Sequence, residues 1–194
     1  MTGELKILVI DEDPVRATIL KEGLSEAGQL CVEWIADTTN LYARISALDP
    51  DVVLIDLENP NRDVLEEMFQ VSREVKRPIA MFVDQSDTAM ITASVDAGVS
   101  AYIVDGLRKE RIKPILDMTI SRFNAVSRLQ RELDDTKSQL EERKTIDRAK
   151  GILMKQKGIG EREAYNLLRR TAMNNKKKIS EIAASVVTAA DLLS

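Results

Sequence analysis

The sequence predicts an α/β domain built on a doubly wound parallel sheet, followed by a long helix and then a small three-helix bundle. Three observations carry that reading. Four short, unalternating runs of apolar and β-branched residues each stop at an aspartate. The stretch 118–144 contains neither Gly nor Pro and places apolar residues at 3-4 spacing. The charge changes sign along the chain: residues 1–117 are net −10, residues 118–144 net +1 and residues 145–194 net +5, within a total of −4. A basic module on an acidic carrier suggests a polyanion-binding output under the control of an input domain.

The apolar runs are Lys6–Ile10 before Asp11, Asp51–Ile55 before Asp56, Pro78–Val83 before Asp84, and Ala101–Val104 before Asp105. Such runs suit strands buried on both faces. Cys31–Ile35 supplies a further short strand. Helical patterns lie between them, near 14–27, 38–48, 62–75, 87–97 and from 108 onward. Five βα units in residues 1–117 make a doubly wound sheet with acids gathered at its carboxyl edge, where such folds bind ligands.

From about 108 the pattern continues as one long helix. Val126, Leu129, Leu133, Thr136 and Leu140 fall at 3-4-3-4 spacing, with Thr136 and Arg143 as weak members. That is either a solvated connector or a short coiled coil pairing two chains, and a long exposed helix has little else to stabilise it. The remainder divides into helices near 145–157, 161–174 and 178–192, punctuated by Gly158 and Gly160 and then by Asn174-Asn175. Their apolar stripes (Ile146, Ala149, Leu153; Ala164, Leu167, Leu168, Ala172; Ile182, Ala183, Val186, Val187, Ala190) close a bundle. The resulting division is 1–117, 118–144 and 145–194.

Composition narrows the chemistry. The chain has no His and one Cys, Cys31. That excludes His-based acid–base catalysis, an internal disulfide and a Cys-rich metal site. No apolar run approaches the ~18 residues of a membrane span, so the expectation is a cytoplasmic non-enzyme that requires no cofactor. Asp11, Glu12 and Asp56 are expected close together at neighbouring strand ends. Either they solvate loop ends, or they hold Mg²⁺ and present a phosphoryl donor to Asp56. In the basic segment Lys150, Lys155, Lys157, Arg169, Arg170 and Lys176-Lys177-Lys178 could contact phosphates. Tyr165 could stack on an unpaired base. A solvated charged face and a core tyrosine are the plainer alternatives.

The run Ile7-Leu8-Val9-Ile10-Asp11-Glu12-Asp13-Pro14, with Leu54-Ile55-Asp56, resembles a two-component receiver domain over about residues 1–120. The resemblance implies a flavodoxin-like sheet, Asp56 as phosphoacceptor, and Asp11 and Glu12 as a metal-binding pair. Two positions depart from the pattern. Val83 stands where a receiver has Ser or Thr, and Asp105 where it has Lys. Neither can bind phosphoryl oxygens, so phosphorylation is expected to be dispensable or inefficient, with Lys109 a distant substitute.

The run Ile146-Asp147-Arg148-Ala149-Lys150-Gly151-Ile152-Leu153-Met154, then Glu163-Ala164-Tyr165, Leu168-Arg169, Ala172-Met173, Lys178-Ile179 and Ile182-Ala183, resembles the ANTAR RNA-binding module over about 145–187. It implies a transcription antitermination regulator that binds paired leader-RNA stem-loops through Lys150, Gly151, Lys155, Tyr165, Arg169, Arg170, Lys177 and Lys178. The whole layout is similar to the amidase (AmiR) and nitrate-assimilation (NasT-like) regulators. The Asp11/Asp56 pair and the stretch 81–87 are closer to the NasT-like group. That resemblance implies control by a nitrate/nitrite-sensing partner protein. The alternatives are a phosphorylation-activated DNA-binding response regulator and an adaptor for an acidic protein.

Overall fold

Residues 5–57, 60, 62–104 and 107–192 are described by a computed structural model. Contacts divide the chain into a unit over 1–127 and a unit over 128–194.

In the first unit five strands alternate with helices: β1 (Ile7–Asp11), α1 (Pro14–Glu26), β2 (Val32–Ile35), α2 (Leu41–Leu48), β3 (Val52–Leu57), α3 (Arg62–Glu74), β4 (Ile79–Val83), α4 (Thr88–Asp96) and β5 (Ala101–Val104). The strands are parallel in the order β2-β1-β3-β4-β5, the flavodoxin-like order with its switch point between β1 and β3. Both sheet faces are covered. Leu8, Ile10, Val53 and Ile55 pack with α2 and α3 on one side. Ile7, Val9, Val52 and Leu54 pack with α1 and Ile112, Ile115 and Leu116 on the other. Burial on both faces is why these strands read as continuous apolar runs.

Helix α1 is held close to the sheet. A Cβ on Gly23 would lie 2.3 Å from Ile112 Cδ1 and 3.2 Å from Ile112 Cγ1, so a larger residue here would force the buried Ile112 side chain to move. The start of α1 is fixed by Asp13, whose carboxylate accepts from the Val15 N–H at 2.7 Å, with Pro14 in the first turn.

The long helix differs from the expected pair of helices. After a 3₁₀ turn (Lys109–Arg111), α5 runs unbroken from Ile112 to Lys157, 46 residues. The expected helix start at 145 is therefore corrected. No proline follows Pro114, and the one glycine inside, Gly151, costs a helix only about 1 kcal/mol. Among the described residues no helix is long and apolar enough to cross a membrane.

In the second unit the end of α5 packs with α6 (Glu161–Asn175) and α7 (Ile179–Leu192). Ala149, Leu153, Ala164, Leu168 and Ala183 form the centre, flanked by Ile146, Ile182, Val186 and Val187. Ala149, Ala164 and Ala183 are fully buried, one from each helix. Their small side chains let the three backbones approach one another. The turn from α6 to α7 passes through Lys176 at φ 53°, a left-handed cap in which the Lys177 N–H donates to the Ala172 carbonyl at 3.0 Å.

Candidate functional site

The acidic pocket forms at the carboxyl edge of the sheet. Asp11 and Asp56 are direct register partners at the ends of β1 and β3, and Asp84 follows β4. The Asp56 side chain is wholly covered. Two buried carboxylates side by side need a cation, and the first turn of α1 supplies one. Arg16 Nε donates to Asp56 Oδ2 at 2.8 Å and Nη2 to Asp56 Oδ1 at 2.6 Å. Nη1 and Nη2 donate to Asp84 Oδ1 at 3.2 Å each. The fork-to-fork geometry on Asp56 is the strong, directional form of the pair. Asp56 raises the Arg16 guanidinium further above its ordinary range.

Asp11 is less well served. Its Oδ1 accepts from the Asp13 N–H at 2.9 Å, while its Oδ2 is buried with no partner. Burial raises its pKa to about 7, with Asp56 adding to the rise and the Asp13 N–H and Arg16 opposing it. The indole N–H of Trp34 donates to the Asp11 carbonyl at 2.9 Å, and Lys21 lies 5.0 Å over the ring.

The divalent ion implied for Asp11, Glu12 and Asp56 does not fit these residues. Glu12 is exposed rather than gathered with the other two. Both Asp56 oxygens already accept from Arg16. Among the described residues no cluster of three or more metal-ligating groups could hold an ion. Val83 is buried at the end of β4, paired with Leu57, and brings no hydroxyl. Lys109 does not turn towards this edge. It pairs with Glu22 and Glu26 of α1 at 3.1 and 2.8 Å. Asp105 lies outside the described residues. Sequence reasoning placed Asp84 at the carboxyl edge but passed over Arg16, although a cation in the first turn after an acidic strand end is a signal that could have been read.

The basic residues of the second unit fall into two groups. Lys150 was expected to point outward, and it does not. Its side chain is only 15% exposed, pairing with Asp147 on its own helix and reaching Glu161 at the start of α6, each at 2.7 Å. The bond from Asp147 holds the Lys150 ammonium above the usual lysine range, and Lys150 holds Asp147 below its own. Lys155, Arg169, Arg170, Lys177 and Lys178 are exposed, and their side chains make no ion pair among the described residues. Lys178 also starts α7 through its backbone N–H, which donates to Glu181 at 2.9 Å.

Tyr165, Arg169 and Met173 stand at i, i+4 and i+8 on α6, so they share one face. Tyr165 is 41% exposed and Met173 69%, and Arg169 is exposed between them. On this ridge of ring, guanidinium and thioether, Tyr165 lies outside the core with part of its ring open to solvent. Gly151 is exposed on α5, and a Cβ there would touch nothing within 4 Å.

Comparison with known proteins matches a family to each part of the chain. Residues 7–117 match the response regulator receiver domain and residues 134–187 the ANTAR domain. The chain is similar to the transcriptional regulatory protein PdtaR of Mycobacterium tuberculosis, 26% identical over 94% of this chain and 89% of that protein. It is also similar to the nitrate regulatory protein of Klebsiella oxytoca, 34% identical over 89% of this chain but 38% of that protein. Among solved structures, a pilus assembly-related protein of Burkholderia pseudomallei shares the fold with a TM-score of 0.55 and 20% identity, over 63% of this chain and 93% of that one. A Thermotoga maritima response regulator does so with a TM-score of 0.50 and 22% identity, over 59% and 96%.

Proposed function

We propose that this chain, which belongs to the response regulator receiver family and carries a C-terminal ANTAR domain, is a transcription antitermination regulator that binds leader-RNA stem-loops. The observation that carries this reading is the exposed Tyr165–Arg169–Met173 ridge, flanked by cations without carboxylate partners. Stem-loop RNA offers two things a duplex groove does not, splayed bases and phosphates on a curved path. A stacking ring beside a guanidinium answers both. Lys155, Arg170, Lys177 and Lys178 add phosphate contacts, which position the RNA without reading it. Lys150 serves the interface by fixing α5 against α6.

The name of the Klebsiella oxytoca relative favours nitrate or nitrite assimilation as the regulated process. The acidic unit is then the surface on which a ligand-sensing partner protein holds the regulator inactive. The stripe Val126, Leu129, Leu133 and Leu140 is 47–62% exposed on α5, and a second copy of the same helix would bury it as a coiled coil. Leu133→Asp is expected to weaken self-association, because a seam carboxylate must lose its water. Sedimentation showing the same dimer for wild type and variant would rule the seam out.

The test of the function compares three ligands at one physiological salt: a tandem stem-loop RNA recovered by crosslinking, a DNA duplex of the same length, and an acidic protein. Preference for the RNA is expected, with affinity falling as salt rises. Tighter binding to the duplex would favour a DNA-binding response regulator instead.

A further inference from the structure

We propose that Arg16 is the built-in cation of this receiver pocket: it takes the place of a divalent ion and holds Asp56 in a closed ion pair, so that the pocket neither takes up Mg²⁺ nor offers Asp56 to a phosphoryl donor. This stands on the geometry of the first unit and is independent of the RNA reading.

Three features combine. All three guanidinium nitrogens are engaged, with Nε and Nη2 on the two oxygens of Asp56 and Nη1 and Nη2 on Asp84. The pair is enclosed: the Arg16 side chain is 17% exposed and that of Asp56 fully covered, leaving Asp84 at the mouth. The cation is also tethered. Arg16 sits in the first turn of α1, whose start is fixed by the Asp13 cap and whose far end is pressed against Ile112 at Gly23. A tethered guanidinium does not dissociate as a bound ion does, and arginine does not lose its charge at any ordinary pH.

The consequence for chemistry is direct. Attack of Asp56 on a phosphoryl group requires a carboxylate oxygen with a lone pair free to face the phosphorus, and a cation to receive the departing charge. Here each oxygen gives one lone pair to the same guanidinium, which occupies the side of Asp56 from which a phosphoryl group and its counter-ion would have to approach. A divalent ion entering beside it would meet a fixed positive charge at contact distance. The Arg16–Asp56–Asp84 cluster therefore keeps its cation in place across the ends of β3 and β4. Control of such a unit has to come from something that docks on it rather than from a group transferred into it.

Trp34 makes the idea measurable, since it is the one tryptophan of the chain and its indole bonds the Asp11 carbonyl. Full-length wild type and Arg16→Met would be titrated with Mn²⁺ and, separately, Mg²⁺, reading Trp34 fluorescence and Mn²⁺ paramagnetic resonance. Wild type is expected to show no saturable binding. Arg16→Met, which keeps an unbranched apolar stem and removes the charged head, is expected to bind Mn²⁺ about tenfold tighter or more. Intact-mass analysis of wild type after incubation with acetyl phosphate and Mg²⁺ supplies a readout that does not depend on the variant folding, and no phosphoryl adduct is expected. Saturable Mg²⁺ binding by wild type, a phosphoryl group on its Asp56, or a folded Arg16→Met that still ignores Mn²⁺ would each overturn the proposal.

Discussion

In the N-terminal unit the guanidinium of Arg16 is 17% exposed and shared between two carboxylates, while in the C-terminal unit that of Arg169 stands in water beside an exposed tyrosine. The same contrast extends to their neighbours. Lys6, Arg16, Arg44, Arg62, Arg77, Lys109 and Lys113 of the first unit each sit on a carboxylate. From Lys155 onward the exposed cations have no such partner among the described residues. Net charge alone would have separated the two units. Pairing says more: in the first, seven cations are paired and that of Arg16 joins the ends of β3 and β4, whereas in the second the cations of α6 and of the turn after it are paired with no carboxylate among the described residues. A positive charge is evidence of ligand binding only when the fold has not already used it.

The largest effect should come from breaking the enclosed pair. Asp56→Ala leaves Arg16 partly buried against Asp84 alone, and loss of one member of a buried pair costs about 3–5 kcal/mol. Urea unfolding followed by Trp34 fluorescence reads the first unit specifically. A change below about 1 kcal/mol would mean the pair is not closed in solution, and the contrast between the units would collapse.

Arg169→Ala should do the reverse, leaving the melting temperature unchanged and weakening RNA binding by roughly 1–3 kcal/mol, with the salt dependence shallower if the contact is to phosphate. Equal affinity for wild type and variant at physiological salt would remove the ridge from the interface. A lowered melting temperature would show that Arg169 serves the fold as well.

How much of this was legible follows from the range of each interaction. The sheet could be read because a strand buried on both faces writes its burial into consecutive residues: β4, expected at 78–83, is observed as Ile79–Val83. The bundle core was readable for the same local reason. Arg16 was not, since its partners lie 40 and 68 residues away and only the sheet order brings them together. The pairing of Lys150 was only half readable: Asp147 stands at i−3 on the same helix, but Glu161 lies across the α5–α6 turn. The second punctuation, placed at Asn174-Asn175, falls one residue later on Lys176, where the pattern of neighbouring carbonyls outweighs the usual preference for Gly or Asn.

Gly151 gives the smallest and most discriminating effect. It lies in the interior of α5, exposed, at a backbone conformation without positive φ, and an added methyl would meet nothing within 4 Å. The fold therefore gives no reason for glycine here, and alanine is the better helix former by up to about 1 kcal/mol. Gly151→Ala should raise the melting temperature of the second unit by a few degrees. If RNA backbone approaches this turn of α5 closely, the same methyl should lower RNA affinity, giving opposite signs in the two measurements. Stability and affinity rising together, or affinity unmoved, would place Gly151 outside the RNA surface and shrink the interface to the ridge on α6 and the lysines beside it.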